Sequence, residues 1–229
     1  AAVEALAKLP AEALAAHAAA IVGKLEDSDS DVRQAAVEVL AKLPANALEA
    51  HAAVIVGKLE DSSSSVRYAA VEALAKLPAE ALAAHAPAIV GKLEDSSSWV
   101  RYAAVEALAK LPAEALAAHA AAIVGKLEDS DSDVRQAAVE VLAKLPANAL
   151  EAHAAVIVGK LEDSSSSVRY AAVEALAKLP AEALAAHAPA IVGKLEDSSS
   201  WVRYAAVEAL AKLPAEALAA HAPAIVGKL

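Results

Sequence analysis

Aspartates alternate with serines in the stretch LEDSDSDVRQ, which covers residues 25–34 and returns unchanged over 127–136. Asp27, Asp29 and Asp31 have the spacing of ligand positions 1, 3 and 5 in a calcium-binding EF-hand loop. That loop also needs glycine at position 6 for its sharp turn, and this chain has valine there. The pattern therefore disfavours a calcium site, and we assign no metal ligand to it.

The aligned stretches LEDSSSSVRY and LEDSSSWVRY suggest a different use for these aspartates. They have Ser63 and Ser97 where the first stretch has Asp29. Both residue types are favoured N-caps of helices. Asp31 would then lie in the first helical turn, where negative charge is favourable. We interpret Asp29 as a helix cap.

Histidines and serines recur along the chain, and together they could form a nucleophilic site. A serine nucleophile needs a base within hydrogen-bond reach, but the histidines fall midway along a different helical segment. Equivalent positions on stacked helices lie about 8–10 Å apart, too far for shared zinc ligation at about 2.1 Å. With no cysteine present, we predict no catalytic residue, no metal site, no cofactor and no enzymatic activity. The histidines are His17, His51, His85, His119, His153, His187 and His221.

Tyrosine and tryptophan are the chain's only aromatic residues, and all of them lie at the start of one helical segment of the repeat. These side chains most often anchor binding partners. They form a candidate surface for a protein or peptide, or else they shield the turn or make contacts between copies. They are Tyr68, Tyr102, Tyr170, Tyr204, Trp99 and Trp201.

The composition narrows the classes of partner. Hydrophobic residues make up 58% of the chain, but Phe, Met and Cys are absent, so the core must be aliphatic. The formal net charge of −10, with no basic run, disfavours nucleic-acid binding, which depends on Lys and Arg at phosphates. No apolar segment approaches the ~18 residues of a membrane span. We therefore expect neither nucleic acid nor membrane as a partner.

Internal repeats dominate the sequence. A 34-residue unit recurs, and residues 1–102 and 103–204 are identical at every position. Identity over so long a block favours an engineered chain over a recent natural duplication. We predict one uninterrupted array over residues 1–229. Its units begin at residues 1, 35, 69, 103, 137, 171 and 205.

Within one unit the apolar residues have helical spacing. We call the first helical segment of a hairpin helix A and the second helix B. The predicted inward face of one helix A carries Leu82, Ala86, Ile89 and Leu93. The predicted inward face of the following helix B carries Val100, Ala104, Ala107, Leu108 and Leu111. Neither face is buried by one hairpin alone, so we expect stacked hairpins, about fourteen helices and no strands.

The stretch LEDSSSWVRYAAVEALAKL, residues 93–111, resembles the second half of a HEAT repeat. The residues that carry the resemblance are Asp95, Val100, Arg101, Ala103, Ala104 and Leu108. It implies an all-α, HEAT-like α-α superhelix, or solenoid, and a binding scaffold without catalytic residues. In HEAT arrays helix B lines the concave wall, which would place the tyrosines there.

The resemblance also implies a structural aspartate–arginine ladder through the turns of neighbouring units. Its aspartates would be Asp27, Asp61, Asp95, Asp129, Asp163 and Asp197. Its arginines would be Arg33, Arg67, Arg101, Arg135, Arg169 and Arg203. The family's helix A is often kinked, and Pro87, Pro189 and Pro223 lie where that kink would fall.

Two further expectations concern the glycines and the chain ends. All seven glycines lie in the motif IVGKL, where they would permit close helix approach or loosen the last turn of helix A. The sequence begins in a helix B segment and stops in a helix A segment, so the two terminal helices, residues 1–9 and 214–229, each lack a neighbour. We hypothesise head-to-tail stacking of copies into a ring or filament.

Together these patterns predict a designed structural scaffold, a self-assembling building block. The alternative is a protein- or peptide-binding module that uses the aromatic helix B surface.

Overall fold

The structure, a computed structural model, describes residues 9–227, and every regular element within that range is helical. The prediction of an all-α fold is confirmed. The first predicted helix, residues 1–9, lies outside the described residues except for its last position. The helices are α1 (Ala11–Ala15), α2 (Ala18–Val22), α3 (Ser30–Leu40), α4 (Ala45–Ala50), α5 (Ala52–Gly57), α6 (Ser64–Leu74), α7 (Ala79–Gly91), α8 (Ser98–Leu108), α9 (Ala113–Ala118), α10 (Ala120–Gly125), α11 (Ser132–Leu142), α12 (Ala147–Ala152), α13 (Ala154–Gly159), α14 (Ser166–Leu176), α15 (Ala181–Gly193), α16 (Ser200–Leu210) and α17 (Ala215–Val226).

The B helices are α3, α6, α8, α11, α14 and α16, each of 11 residues. The prediction that Asp29 caps α3 is confirmed, because its Oδ1 accepts the backbone N–H of Asp31 at 2.8 Å. The matching serines behave differently. Ser63 stands at the N-cap of α6 without a side-chain cap bond, and its own N–H donates to Asp61 Oδ1 at 2.9 Å. In these units the preceding aspartate, rather than the serine, holds the turn.

The A helices take two forms. Where the sequence has alanine after the histidine–alanine pair, helix A divides at the histidine, as at His51 between α4 and α5. Where it has Pro87, Pro189 or Pro223, helix A runs unbroken. The interruption thus falls in the units without proline. This division of four A helices explains why the described range holds more helices than one per predicted segment.

The motif IVGKL ends helix A with a short 3₁₀ turn, such as Lys58–Glu60 after Gly57. The expectation that its glycine permits close helix approach is wrong, because no neighbouring atom lies within 4 Å of a Cβ built at Gly57 or Gly159. The glycine has ordinary helical torsion angles, with φ of −57° at both positions. Of the two roles considered for this glycine, loosening of the last turn of helix A is the one that remains.

The core is aliphatic, and the predicted inward faces are confirmed. Leu82, Ala86 and Ile89 of α7 are completely buried. Val100, Ala104 and Leu108 of α8 are buried equally well. Most equivalent residues of the other repeats are buried in the same way, except those of α17, so a leucine–valine–isoleucine layer recurs within each part of the chain.

The chain divides into two compact units, residues 1–115 and 116–229. In the first unit α6 packs against both α3 and α8. In the second unit α14 packs against both α11 and α16. Each unit therefore contains three consecutive B helices in contact. The single array over residues 1–229 stays a prediction.

We expect alanine at Gly57 and Gly159 to stabilise the protein by about 0.5–1 kcal/mol each, because alanine has less backbone freedom to lose in a helix. Open space around both positions leaves room for the added methyl group. Urea unfolding of the Gly57→Ala and Gly159→Ala variants measures the change. The reverse change at an exposed position of α5, Ala53→Gly, is the control and should lower stability. A loss of stability in the alanine variants would contradict this account.

Candidate binding site and the ladder beneath it

A bidentate ion pair joins each of four B helices, α3, α6, α11 and α14, to the turn of the next repeat. The Nε and Nη2 atoms of Arg67 donate to Asp95 Oδ2 and Oδ1, both at 2.7 Å. The Nη1 atom of the same guanidinium donates to the carbonyl of Asp61 at 3.0 Å, within its own repeat. One arginine thereby clamps two consecutive turns.

The same geometry recurs four times, always between residues 28 positions apart, with donor–acceptor distances of 2.7–2.8 Å. The pairs are Arg33–Asp61, Arg67–Asp95, Arg135–Asp163 and Arg169–Asp197. Fork-to-fork pairs of this kind are the strong members of their class, because the planar guanidinium matches both carboxylate oxygens.

The remaining residues of the predicted ladder also make hydrogen bonds within their own turns. Asp27 accepts from Lys24 Nζ and from the N–H of Asp29, both at 3.1 Å. Arg203 donates to the carbonyls of Asp197 and Ser198. Elsewhere, Arg101 Nη1 donates to the carbonyl of Asp95 at 2.9 Å, and Asp129 Oδ1 accepts the N–H of Asp131 at 3.0 Å.

The ladder carboxylates are buried and charged. The side chain of Asp163 is 5% exposed and that of Arg135 is 12% exposed. The hydrogen bond from Arg135 lowers the pKa of Asp163, and the N–H of Ser165 contributes in the same direction against the opposing effect of burial. For Asp95, burial raises the pKa, but the bonds from Arg67 and the N–H of Ser97 more than offset it. The pairs are ionised throughout the neutral range.

The structure has a second row of ion pairs that the sequence analysis did not predict. The lysine of IVGKL reaches back to the glutamate of the preceding turn, as in Lys92 Nζ to Glu60 Oε1 at 2.7 Å. The stem of Lys92 is buried while Glu60 is 79% exposed, so the ammonium ends at the surface. The sequence feature that could have predicted these pairs is the lone lysine in the otherwise apolar motif IVGKL. The other described pairs are Lys58–Glu26, Lys160–Glu128 and Lys194–Glu162.

The start of the B helices forms an open groove in the first unit, across α3, α6 and α8. Its volume is about 210 Å³. The structure brings together two of the predicted aromatic residues there, Tyr68 and Trp99, and leaves Trp99 70% exposed. The groove is lined by Gln34, Ser64, Ser65, Tyr68, Ser97 and Trp99.

An equivalent groove of about 250 Å³ lies in the second unit, across α11, α14 and α16. Trp201 is 73% exposed there. Tyr102 and Tyr204 are exposed but are not lining residues of either groove. Sequence reasoning missed the glutamines and serines, although their 34-residue register with the tyrosines could have identified them. This groove is lined by Gln136, Ser166, Ser167, Tyr170, Ser199 and Trp201.

The residues considered for metal or catalytic chemistry have backbone roles. Asp27 Oδ1 accepts the N–H of Asp29, whose own Oδ1 accepts the N–H of Asp31. Over residues 9–227, no cluster of three or more His, Asp or Glu side chains is arranged to hold a metal ion. Over the same range, no helix combines the length and apolar character that crossing a membrane requires.

Comparison with known proteins gives a consistent result for the fold. HEAT repeats are recognised over residues 19–89, 52–143, 120–188 and 154–222. No curated protein matches the chain.

Several solved structures are similar. One engineered protein from the Northeast Structural Genomics Consortium is 27% identical, with a TM-score of 0.65 over 85% of this chain and 95% of its own. A second is 28% identical, with a TM-score of 0.66 over 97% of this chain and 66% of its own. A designed armadillo repeat protein in complex with the peptide (KR)4 is 22% identical, with a TM-score of 0.64 over 85% and 98%. At 22% identity, the similarity to the designed armadillo repeat protein concerns the fold alone.

We expect the ladder to make stability depend on pH in the acid range. The pKa of Asp163 is lowered in the folded chain, so its contribution is complete above the unfolded value of about 3.9 and is lost as the pH falls through the folded value. Asp163→Asn should cost about 1–3 kcal/mol at pH 7 and flatten this part of the profile. Urea unfolding at a series of pH values measures both effects.

The matched control for Asp163→Asn is Ser164→Ala, which alters the hydroxyl beside Arg135 but keeps the carboxylate. The free energy of unfolding of this control should depend on pH in the same way as that of the unaltered chain. An Asp163→Asn variant with that same pH dependence would show that this ion pair does not contribute to acid sensitivity.

Proposed function

This chain belongs to the HEAT-repeat family, and we propose that it is a designed structural scaffold, a non-catalytic building block that stacks with copies of itself. The identity of residues 1–102 with 103–204 supports a designed origin. So does the likeness to engineered repeat proteins at 27% and 28% identity.

The observation that carries the scaffold proposal is the repeated contact between neighbouring hairpins. Each of the four bidentate pairs uses the same atoms at the same distances. The aliphatic layer repeats beside them. Each hairpin therefore offers the next hairpin the same contact surface that it receives from the previous one. Because this surface repeats, further hairpins can be added to an array.

The last two described helices, α16 and α17, expose a face that their equivalents bury. Val207 is 49% exposed, whereas Val105 and Val173 are completely buried. Along the described length of α17, no side chain reaches full burial. The proposed occupant is the first helix B of a second copy, because that segment repeats the sequence that covers this face in the preceding units. That helix itself lies outside the described residues.

The absence of a catalytic role is part of the proposal. The serine runs lie at the start of the B helices, where Ser63 and Ser97 occupy N-cap positions. The histidines lie midway along the A helices, as at His51. A serine nucleophile needs its base within hydrogen-bond reach, whereas these serines and histidines lie on different helices.

A second candidate function, a protein- or peptide-binding module, is favoured by the two grooves. Each leaves a tryptophan more than two-thirds exposed beside a tyrosine. Tryptophan and tyrosine are enriched at binding hot spots, so largely exposed indoles favour a surface that binds a partner. The ligand experiments described for the grooves below test this candidate.

We expect the 229-residue chain to self-associate in a concentration-dependent manner, because Val207 and its neighbours gain burial when a second copy covers them. Val207→Glu should shift association to at least ~10-fold higher concentration, since a charge must then be desolvated. Light scattering and sedimentation from low to high micromolar concentration measure the shift.

The control for Val207→Glu is Val156→Glu, a valine of similar exposure (42%) on helix A. It should leave association unchanged. A chain that stays monomeric throughout that range would overturn the self-stacking part of the proposal.

A further inference from the structure

Each 102-residue block builds its groove from three unlike repeats. At one position of the unit, consecutive repeats carry Asp31, Ser65 and Trp99, on α3, α6 and α8. Ser65 and Trp99 line the groove together with Gln34. Gln34 follows Asp31 by three residues on α3, so the two share a helix face. Asp31 is exposed and lies one turn before Gln34 on α3, but it is not itself a lining residue of the groove.

The surroundings of the groove are negative. Its lining side chains are all uncharged. One turn further along the same helices, Glu38 accepts a hydrogen bond from Gln34 at 2.7 Å, and in the second unit the charge of Glu174 raises the pKa of Tyr170. The arginines at this end of the helices, Arg33 and Arg67, are neutralised by their ladder aspartates. In the second unit, Lys144 and Lys178 line a neighbouring depression together with Tyr170, Glu140 and Glu174.

From this arrangement we propose that each groove binds a cationic side chain, arginine or lysine, of an extended basic peptide. The proposal rests on the binding function of the grooves. The cation lies over the indole of Trp99 in the first unit and of Trp201 in the second, with the carboxylates of Asp31 and Asp133 nearby. The chain accordingly has two equivalent sites.

The chemistry of the groove matches such a ligand. A cation is attracted to the face of an exposed aromatic ring, and tryptophan is the best aromatic partner for it. A volume of about 210 Å³ corresponds to about seven water molecules of ~30 Å³ each, which is room for one long side chain. The hydroxyls of Ser64, Ser65 and Ser97 and the amide of Gln34 can bond the peptide backbone. The net charge of −10 attracts basic ligands.

The proposal gives Asp31 a role in addition to the favourable charge that it provides in the first turn of α3. Asp31 is exposed, and the equivalent positions carry serine or tryptophan without loss of the helix. Its charge is therefore not needed by the ladder. Ser65 and Trp99 line the groove, and Asp31 lies on the helix that supplies Gln34 to it.

The two sites of one chain are related by a shift of 102 residues, which gives the chain bivalent capacity. A peptide with one basic segment should occupy both sites independently. A peptide with two basic segments on a linker that can span the sites should bind more tightly, because its second contact is intramolecular.

The test is titration calorimetry of the full chain with four short peptides of one length. The first alternates arginine with glycine, and the others replace arginine by glutamine, glutamate or proline. We expect two sites for the arginine peptide, with affinity that falls as salt rises. Trp99→Ala or Trp201→Ala alone should leave one site, and the double variant none.

A charge-matched pair of variants separates local recognition from general attraction. Asp31→Ser with Asp133→Ser introduces the residue found at the equivalent positions 65 and 167. It should weaken binding of the arginine peptide about 3-fold or more, because the cation loses a nearby carboxylate as an ion-pair partner. Glu49→Gln with Glu151→Gln removes the same charge from exposed positions of helix A and should leave the affinity unchanged.

The outcomes distinguish the two claims. Binding of the glutamine, glutamate or proline peptide that depends on the tryptophans would overturn the basic ligand and keep the binding function. Equal weakening by both charge-matched pairs would also overturn it, as attraction without a site. If none of the four peptides binds, the basic-peptide proposal is overturned. If, in addition, no peptide of a wider array loses binding when Trp99 and Trp201 are replaced by alanine, the binding function is overturned as well.

Discussion

The bidentate bond between an arginine of one repeat and an aspartate of the next is the interaction on which the rest of the structure depends. Arg67 holds the carboxylate of Asp95 with two nitrogens and the carbonyl of Asp61 with a third. Asp95 in turn accepts the N–H of Ser97, which starts the next helix B. One contact therefore fixes the spacing of two turns and the point at which a helix begins. Its members are buried, so separating them would strand a charge.

The other features follow from that spacing. Because the B helices begin in register, their aliphatic faces meet in one layer, with Val100 and Leu108 completely buried. Register also aligns their first exposed turns, which brings residues from three repeats into one groove. The buried lysines strengthen the same junction from the helix A side. The groove is thus a consequence of the ladder and can vary in sequence without disturbing it.

The periodic sequence predicted much of the fold, because apolar spacing alone determines which faces meet. It named Arg67 and Asp95 and placed the ladder in the turns of neighbouring units, but it did not give the bidentate pairing of residues 28 positions apart. The use of Gly57 was only half predicted, since sequence cannot separate a close contact from a backbone preference. Lys92 was missed because its stem is buried while its ammonium reaches the surface. Tyr68 and Trp99 were predicted as surface, whereas Gln34 joins them only after three repeats stack.

The most direct measurement compares Arg169→Ala with Arg203→Ala by urea unfolding at neutral pH. The two arginines occupy the same position of the repeat, and both donate to carbonyls of their own turn, but only Arg169 holds an aspartate of the next one. The account predicts a loss of about 2–4 kcal/mol for Arg169→Ala and no more than about 1 kcal/mol for Arg203→Ala. Equal losses for the two variants would contradict it, because the contact between repeats would then contribute nothing.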